Sequence, residues 1–278
     1  MISVITYKIA VNINSQEKRS GMVRGLYTAY TGLVNQQRRL DIVSNNLANA
    51  TTTGYKKEGV TTQSFDSVYG IKINDATVGY MNQSIGSMSL GAKIGETYRS
   101  WDQGSLRNTD SDYDFALSGQ GFFSISFTNK AGETSTLYTR DGSFQMNQEG
   151  YLVTKDGDYV LGEGGNPIQL PTDVSQLTVD STGGIYADGQ YVDTFALVDF
   201  EDYNYLEEYG ENLYRAVDGA TEQDCTATVQ QGYLEASNIN VVSEMVDMIA
   251  VAREYESGQK VIQAIDEMLG KMVTMSEL

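Results

Sequence analysis

The chain has 278 residues, with 37 acidic and 19 basic side chains, a net charge of −18, no histidine and one cysteine. The lack of histidine excludes imidazole metal sites and His-dependent catalytic triads, and a single cysteine excludes an intrachain disulfide. The acidic balance opposes nucleic acid and anionic lipid, and no apolar run approaches the ~20 residues of a membrane-spanning helix, so we expect neither a nucleic-acid partner nor direct membrane insertion.

Residues 1–21 begin like a secretory leader, but two polar side chains, Lys8 and Asn12, interrupt the apolar stretch. No small-residue cleavage site follows, so we do not expect a signal peptide. Two alternatives are open for this segment. It is either a disordered leader or the result of a start site assigned upstream of Met22.

Residues 22–56 carry the first strong helical pattern. Leucines recur every seven residues, which indicates a helix that pairs with another helix; these are Leu26, Leu33, Leu40 and Leu47. The helix is predicted to end near Ala50, because short polar side chains there compete for backbone hydrogen bonds and a glycine able to take a left-handed conformation follows. The residues of this exit are Asn45, Asn46, Asn49, the threonines at 51–53 and Gly54.

The middle of the chain has strand-like patterning. Residues 57–110 show isolated apolar residues between Gly and Ser, which is typical of an extended linker with short strands. Residues 111–229 show short alternating stretches separated by turn dipeptides, which predicts a central all-β domain of the meander or small-barrel type. The turn dipeptides are Asp141-Gly142, Glu149-Gly150, Asp156-Gly157 and Asp188-Gly189.

Residues 230–278 contain the second helical pattern, opened by the polar run at 237–240, whose side chains can cap the first free amides. One apolar stripe is predicted to pack with the first helix, namely Val241, Met245, Met248, Ala252, Tyr255, Ile262, Ile265, Leu269 and Met272. Further apolar residues are predicted around the circumference, so that one partner helix would leave them in water; these are Val242, Ile249, Val251, Val261, Met268 and Val273. More than one neighbour is therefore indicated.

Together the patterns predict an α+β protein in which the N- and C-terminal helices pair as a discontinuous stalk and the β-domain lies between them in sequence. The Gly119-Gln-Gly121 and Asp110–Asp114 motifs resemble nucleotide and calcium loops only in part, because the required third glycine and closing glutamate are missing. We expect no cofactor, no metal and no catalytic residue. A glycosidase-like pair of carboxylates and a secreted acidic β-domain that binds glycan or protein are the competing hypotheses.

Several segments resemble the bacterial flagellar rod and hook protein family. At the N-terminal end they are GLYTAYTGLVNQQRRLDIV followed by SNNLANATTTGYKK at 44–57, and at the C-terminal end QGYLEASNINVVSEMVDMIAVAREYESGQKVIQAIDEMLGK at 231–271. Between them lie DFALSGQGFF at 114–123, YTRDGSFQMNQEGYLVT at 138–154 and EYGENLYRAV at 208–217. The threonine run at 51–53 departs from the family pattern, which is less uniformly threonine there.

The resemblance implies a structural, non-enzymatic subunit of the flagellar basal body, nearest to the distal rod members, with the proximal rod members as the alternative. It implies export through the flagellar type III apparatus without a cleaved signal and a location in a rod that crosses the periplasm or cell wall. The implied partners are further copies in a helical tube that transmits motor torque, other rod proteins and hook subunits.

The resemblance also implies residue roles. The inner helical packing of the tube would involve Leu26, Leu33, Leu40, Leu47, Met245, Met248, Ala252, Tyr255, Ile262 and Leu269, and the exit from the first helix would be set by Asn45, Asn46, Leu47, Asn49, Gly54 and Tyr55.

Overall fold

The computed structural model describes residues 2–72, 83–129, 132–174, 176–210 and 212–276. The chain divides into two units. The helical unit comprises residues 1–47, 58–99 and 241–278, and the β unit comprises residues 48–57 and 100–240. The sequence boundaries predicted at 56 and 230 therefore differ from the structure, because the segments that leave each helix belong to the β unit.

The helical unit is built from two long helices and two antiparallel ladders. The helices are α1 (Ile2–Ala48) and α2 (Val241–Ser276). Strand β1 (Glu58–Ser64) pairs with β4 (Ala92–Arg99), and β2 (Val68–Lys72) pairs with β3 (Gln83–Met88). Residues 58–99, expected to be an extended linker with short strands, thus contribute paired strands to the helical unit.

Helix α1 begins at Ile2, so the expectation of a disordered leader in residues 1–21 is corrected. The segment contains no proline, and a single interior glycine such as Gly21 costs only about 1 kcal/mol relative to alanine. One such cost does not stop a helix that continues into a long apolar stripe. In the described part of the chain, neither helix is long and apolar enough to cross a bilayer.

The β unit consists of short strands joined by tight turns. In chain order they are β5 (Leu106–Asn108), β6 (Phe115–Ser118), β7 (Phe122–Thr128), β8 (Thr134–Thr139), β9 (Gln145–Met146), β10 (Leu152–Val153), β11 (Tyr159–Val160), β12 (Leu177–Val179), β13 (Gly184–Ala187), β14 (Gln190–Thr194), β15 (Leu197–Phe200), β16 (Leu206–Glu208), β17 (Leu213–Ala216), β18 (Glu222–Asp224), β19 (Thr228–Gln231) and β20 (Tyr233–Glu235). A 3-10 turn at Tyr203–Tyr205 precedes β16.

The largest sheet of the described residues runs β16-β17-β8-β7-β11-β10-β9, and β15 pairs with both β7 and β18. Strands β12, β13 and β14 form a separate meander. Asp188 and Gly189, which join β13 to β14, both have positive φ angles of 49° and 82°, as a type I′ hairpin turn requires. The predicted Asp-Gly turn is confirmed at this position.

The ends of the β unit meet each other. Strand β19 pairs with β6, and β20 pairs with β5, with Leu234 opposite Arg107. The pairing of β5 with β20 brings the segment that follows β4, residues 100–105, close to the segment that precedes α2, residues 236–240, and the Ala236 N–H donates to the Ser105 carbonyl oxygen.

Two aromatic clusters form the core of the β unit. In the larger cluster, Phe115 and Phe195 meet edge to face with ring centroids 5.1 Å apart. In the smaller cluster, the single tryptophan, Trp101, contacts the ring of Tyr214 at 4.9 Å and that of Phe122 at 5.5 Å. Such pairs stabilise a fold beyond the area that they bury, and Trp101 provides a fluorescent probe that lies in this unit alone.

Candidate functional site

Helix α2 has one buried stripe along its length. Glu244, Val251 and Ile265 are buried, and Tyr255 and Ile262 are half-buried. Together with the half-buried Met248 and Gly258, these positions follow each other at the three- and four-residue spacing that places side chains on one face of a helix. The stripe is therefore a continuous inner face of α2.

Three contacts between α1 and α2 occur within the helical unit. Arg39 Nη1 is 3.9 Å from Glu254 Oε2, and Asn46 Nδ2 donates a hydrogen bond of 3.3 Å to Glu244 Oε2. A Cβ atom added at Gly258 would lie 3.9 Å from the Cβ atom of Leu33. Since the residue numbers rise along α1 as they fall along α2, these contacts are those of an antiparallel pair.

The structure places most of the predicted packing residues on the less exposed side of the helices. Those that are half-buried are Leu26, Leu33, Leu40 and Leu47 in α1, and Met248, Ala252, Tyr255, Ile262 and Leu269 in α2. Met245 differs, since half of its side chain is exposed. Val251, expected on the circumference, is buried at 2% exposure, because the true stripe includes the position between Met248 and Tyr255.

The opposite side of α2 is also apolar and is exposed in this single chain. Val246 is 60% exposed and Ile249 is 54% exposed, and the other exposed apolar residues there are Val242, Val261 and Met268. A helix of a self-sufficient monomer normally presents polar side chains to water on this side. We call the exposed residues Val242, Val246, Ile249, Val261 and Met268 the outer face of α2. Val273, also predicted on the circumference, is exposed but lies five turns after Tyr255, on the side of the inner face.

Asn46 joins three elements of the helical unit. It is buried at 1% exposure. Its Oδ1 atom accepts the backbone N–H of Glu58 at 3.0 Å, and its Nδ2 atom donates to the Glu58 carbonyl oxygen at 2.8 Å and to the Glu244 carboxylate. The side chain thereby satisfies both backbone groups of the first residue of β1 and connects them to the first turn of α2. Among the predicted exit residues, Asn45 is exposed and Asn49 accepts a hydrogen bond from Thr52.

Gly54 and Tyr55 lie at the start of the β unit, where the chain leaves α1. The Gly54 N–H donates to the backbone oxygen of Glu235 at 2.8 Å, and its φ angle is +69°. A Cβ atom here would lie 2.7 Å from the backbone of Arg140 and Asp141. Only glycine fits this position, which confirms its predicted left-handed conformation, and the next residue, Tyr55, is buried.

The neighbouring Lys56 belongs to a buried charge cluster with Glu235 and Arg140. Lys56 Nζ is 2.6 Å from Glu235 Oε1, and Arg140 Nη1 is 3.4 Å from Glu235 Oε2. Lys56 also donates to the Asp102 carbonyl oxygen, and the Gly104 N–H donates to Glu235 Oε1. The three charged side chains have at most 3% of their surface exposed.

The cluster connects segments that are far apart in sequence. It joins residue 56 after α1, residue 140 at the end of β8 and residue 235 in β20, before α2. Asn238 adds to the connection, because its Oδ1 atom accepts the Lys57 N–H and its Nδ2 atom donates to the Ser100 carbonyl oxygen. The segment that follows α1 and the segment that precedes α2 are thus hydrogen-bonded and ion-paired with each other.

Burial lowers the pKa of Lys56 from its usual 10.5, because desolvation disfavours the ammonium and outweighs the stabilising Glu235 carboxylate. Glu235 faces two cations, so its removal would leave uncompensated positive charge in the interior. Removing one partner from a buried pair typically costs about 3–5 kcal/mol. The carboxylate is therefore essential to the order of this region.

Sequence reasoning missed this cluster. In the sequence, Lys56 and Glu235 stand out only as members of the longer motifs at 44–57 and 231–271. The available signal was Glu235 itself, a charged residue beside the apolar Leu234 in a short strand. No group of three or more potential metal ligands occurs among the residues that the structure describes.

Three family profiles match successive parts of the chain. They are described as flagella basal body rod protein over residues 26–56, flagellar hook protein FlgE/F/G D1 domain over residues 116–187, and flagellar basal body rod FlgEFG protein C-terminal over residues 230–275. The first and third cover the inner faces of the helices and the two segments that meet at the buried cluster.

Curated relatives match nearly the whole chain. The flagellar basal-body rod protein FlgG of Bacillus subtilis strain 168 is 32% identical over 269 residues, which cover 91% of this chain and 99% of the relative. FlgG of Agrobacterium fabrum is 34% identical, with 88% and 97% covered. The rod protein FlgF of Caulobacter vibrioides is 33% identical, with 89% and 95% covered.

Proposed function

The chain belongs to the flagellar basal-body rod protein family, and from this premise we propose that it is a rod subunit whose copies assemble through the helical unit into a helical tube. The tube carries motor torque to the hook. In this proposal the subunit is of the distal type, lies in the part of the basal body that crosses the periplasm or cell wall, and contacts other rod proteins and hook subunits. It reaches that site through the flagellar export apparatus.

The observation that carries the proposal is the two-sided apolar character of α2. One side of it carries a buried stripe, whereas its outer face, including Val246 and Ile249, is exposed in the single chain. A second helix from another copy would remove this apolar surface from water. If each copy used its outer face against a different surface of the next copy, the contact would not close, and a filament would result.

The distribution of charge supports the same arrangement. Most of the acidic residues lie in the β unit, whereas the helical unit has nearly balanced numbers of acidic and basic residues. Like-charge repulsion opposes close approach of acidic surfaces. Contacts through the nearly neutral helical unit are therefore favoured over contacts between β units.

The buried cluster supports the proposal that the β unit transmits force within the rod. Lys56, Arg140 and Glu235 hold the segment that follows α1 and the segment that precedes α2 in one fixed arrangement. Torque applied to either segment would act on the packed unit rather than on a loose linker. Fixed local geometry of this kind is what a subunit of a stiff shaft requires.

Val246→Asp tests the proposal in a strain that lacks the chromosomal copy of this gene. Aspartate on the outer face is expected to leave the secreted subunit folded and to abolish rod elongation and swimming, because the assembled interface would bury an unpaired charge. Gln263→Asp introduces the same side chain at an exposed polar position of α2 and should support normal rods. Normal rods with Val246→Asp would contradict the proposed interface.

Imaging of basal bodies from the deletion strain separates the two rod types. Loss of structure beyond a remaining proximal rod is expected for a distal subunit. Loss of the entire rod would instead favour the proximal alternative, which the 33% identity to a FlgF protein keeps in consideration. Intact flagella would contradict both and favour a separate surface protein.

A further inference from the structure

The β unit contains a polar cleft, outside the helical unit to which we assign assembly. Its volume is about 730 Å³, within the range of ordinary ligand sites. The threonines at 51–53 line one part of it, and Thr139 and Ser143 line another. The cleft is thus unusually rich in hydroxyl groups.

An aromatic pair contributes an apolar surface to the same cleft. Phe127 and Tyr209 both line it, and their rings meet edge to face with centroids 5.2 Å apart. The Arg215 guanidinium lies 5.7 Å from the centre of the Tyr209 ring. These two neighbours hold Tyr209 in place, yet 37% of the residue is exposed, so part of it is accessible to a ligand.

The cleft offers both acceptors and donors of hydrogen bonds, because carboxylates, hydroxyl groups and two cationic side chains line it. Asn212 Nδ2 donates to the Thr53 carbonyl oxygen, which fixes the orientation of the carboxamide, and its Oδ1 atom is buried. Burial, with repulsion from Asp156, raises the pKa of the lining Asp158 carboxyl group. A ligand rich in hydroxyl groups, which both donate and accept, would bond with this mixture of groups.

The charges narrow the class of ligand. Three carboxylates line the cleft, Asp141, Asp156 and Asp158, beside two cations, Arg107 and Lys155, so the nearly balanced charge of the lining attracts neither anionic nor cationic ligands strongly. Asp141 already accepts hydrogen bonds from Ser143 Oγ at 2.7 Å and from the Ser143 N–H, and Lys155 Nζ lies 3.9 Å from its other oxygen. A neutral molecule with many hydroxyl donors and an apolar C–H face fits both the acceptors and the aromatic pair.

We propose that this cleft binds a short neutral oligosaccharide. Sugar hydroxyls donate to Asp156 and Asp158, and the C–H face of a pyranose ring packs against Tyr209. The glycan is recognised through shape and hydrogen bonding, with no net charge attraction. The proposal goes beyond assembly of the rod, since the cleft lies entirely in the β unit.

Titration calorimetry of the full chain with maltotriose, cellotriose and tri-N-acetylchitotriose tests the proposal. At least one trisaccharide is expected to bind saturably with a Kd of about 1 mM or tighter. Binding should change little between about 50 and 300 mM NaCl, because no ion pair is formed. Tyr209→Ala should weaken binding about tenfold or more. Asp156→Asn, which changes an exposed residue of the cleft, should weaken binding by a similar factor.

Tyr233→Ala is the matched control, because Tyr233 has the same 37% exposure and does not line the cleft. It should bind the sugar as the unmodified chain does. Circular dichroism melts of all variants separate lost binding from lost folding, and Asp156→Asn carries the test if Tyr209→Ala unfolds.

Three results would overturn the proposal. The first is no saturable heat with any of the three sugars up to about 10 mM. The second is tighter, salt-sensitive binding of a trilysine peptide, which would identify a site for basic peptides. The third is a change in sedimentation of Tyr209→Ala and Asp156→Asn without sugar binding, which would identify the cleft as a contact between copies of the chain.

Discussion

Glu235→Gln should destabilise the β unit strongly although it changes only a carboxylate to an amide. The glutamine side chain has nearly the same shape, but it removes the negative charge that faces Lys56 Nζ at 2.6 Å and Arg140 Nη1 at 3.4 Å. Two buried cations would then lack their counter-ion. The expected loss is about 3–5 kcal/mol, a large part of the 5–15 kcal/mol that typically stabilises a domain.

Urea unfolding followed by Trp101 fluorescence measures this loss, because the single tryptophan lies in the smaller core cluster of the β unit. With a slope of about 2 kcal/mol per M, the midpoint should fall by about 1.5–2.5 M. Adding Lys56→Met to Glu235→Gln should restore part of the stability, since one of the two unpaired cations is then removed.

Glu207→Gln is the matched control. Glu207 also forms an ion pair, with Arg215 Nη2 at 2.5 Å, but both side chains are at least half exposed. Such pairs contribute about 0–1 kcal/mol, so the urea midpoint should hardly move. Equal midpoints for Glu235→Gln and Glu207→Gln would refute the claim that the buried carboxylate organises the region.

Three further predictions concern the residues around the exit from α1. Gly54→Ala should lower the stability of the β unit by about 1–3 kcal/mol more than Gly189→Ala, because both positions have positive φ but only the first meets backbone atoms; equal urea midpoints would contradict this. The free energy of unfolding of the unmodified chain should rise between about pH 7 and 9.5, because the lowered pKa of folded Lys56 means that the unfolded chain binds more protons there. Lys56→Met should remove part of this rise, and parallel pH profiles of the variant and the unmodified chain would argue against it. Asn46→Ala should speed hydrogen exchange at the Glu58 amide by about tenfold or more, since that N–H loses its acceptor, and an unchanged exchange rate would be inconsistent with the bond.

The local patterns of the sequence predicted the α+β class and the helical character of both ends. The seven-residue stripe identified most half-buried positions of α2. However, Met245, which was expected to be buried, is exposed, and Val251, which was expected to be exposed, is buried. The reason is that periodicity locates the buried side of a helix around its axis only to within about one residue position. Its true direction depends on which partner surface buries it.

The boundaries of the two units could not be predicted from local sequence patterns. The two segments that leave the helices join the β unit because Gly54 donates to the backbone of Glu235 and Lys56 pairs with its side chain. Neither contact has a local signal, since each joins residues about 180 apart. Likewise, residues 58–99 showed strand tendency, but their pairing into two ladders depends on register that isolated short strands do not specify.

The sequence by itself determined the elements, the lack of histidine chemistry, the acidic character and, through its terminal motifs, the resemblance to the rod family. Only the tertiary structure decided which side of α2 stays exposed, how Lys56, Arg140 and Glu235 meet, and how the threonine run comes to line a cleft. Periodicity and turn chemistry act over a few residues and can be recognised in a linear chain. Buried ion pairs and clefts arise from segments distant in sequence, so their energies exist only once the chain is folded.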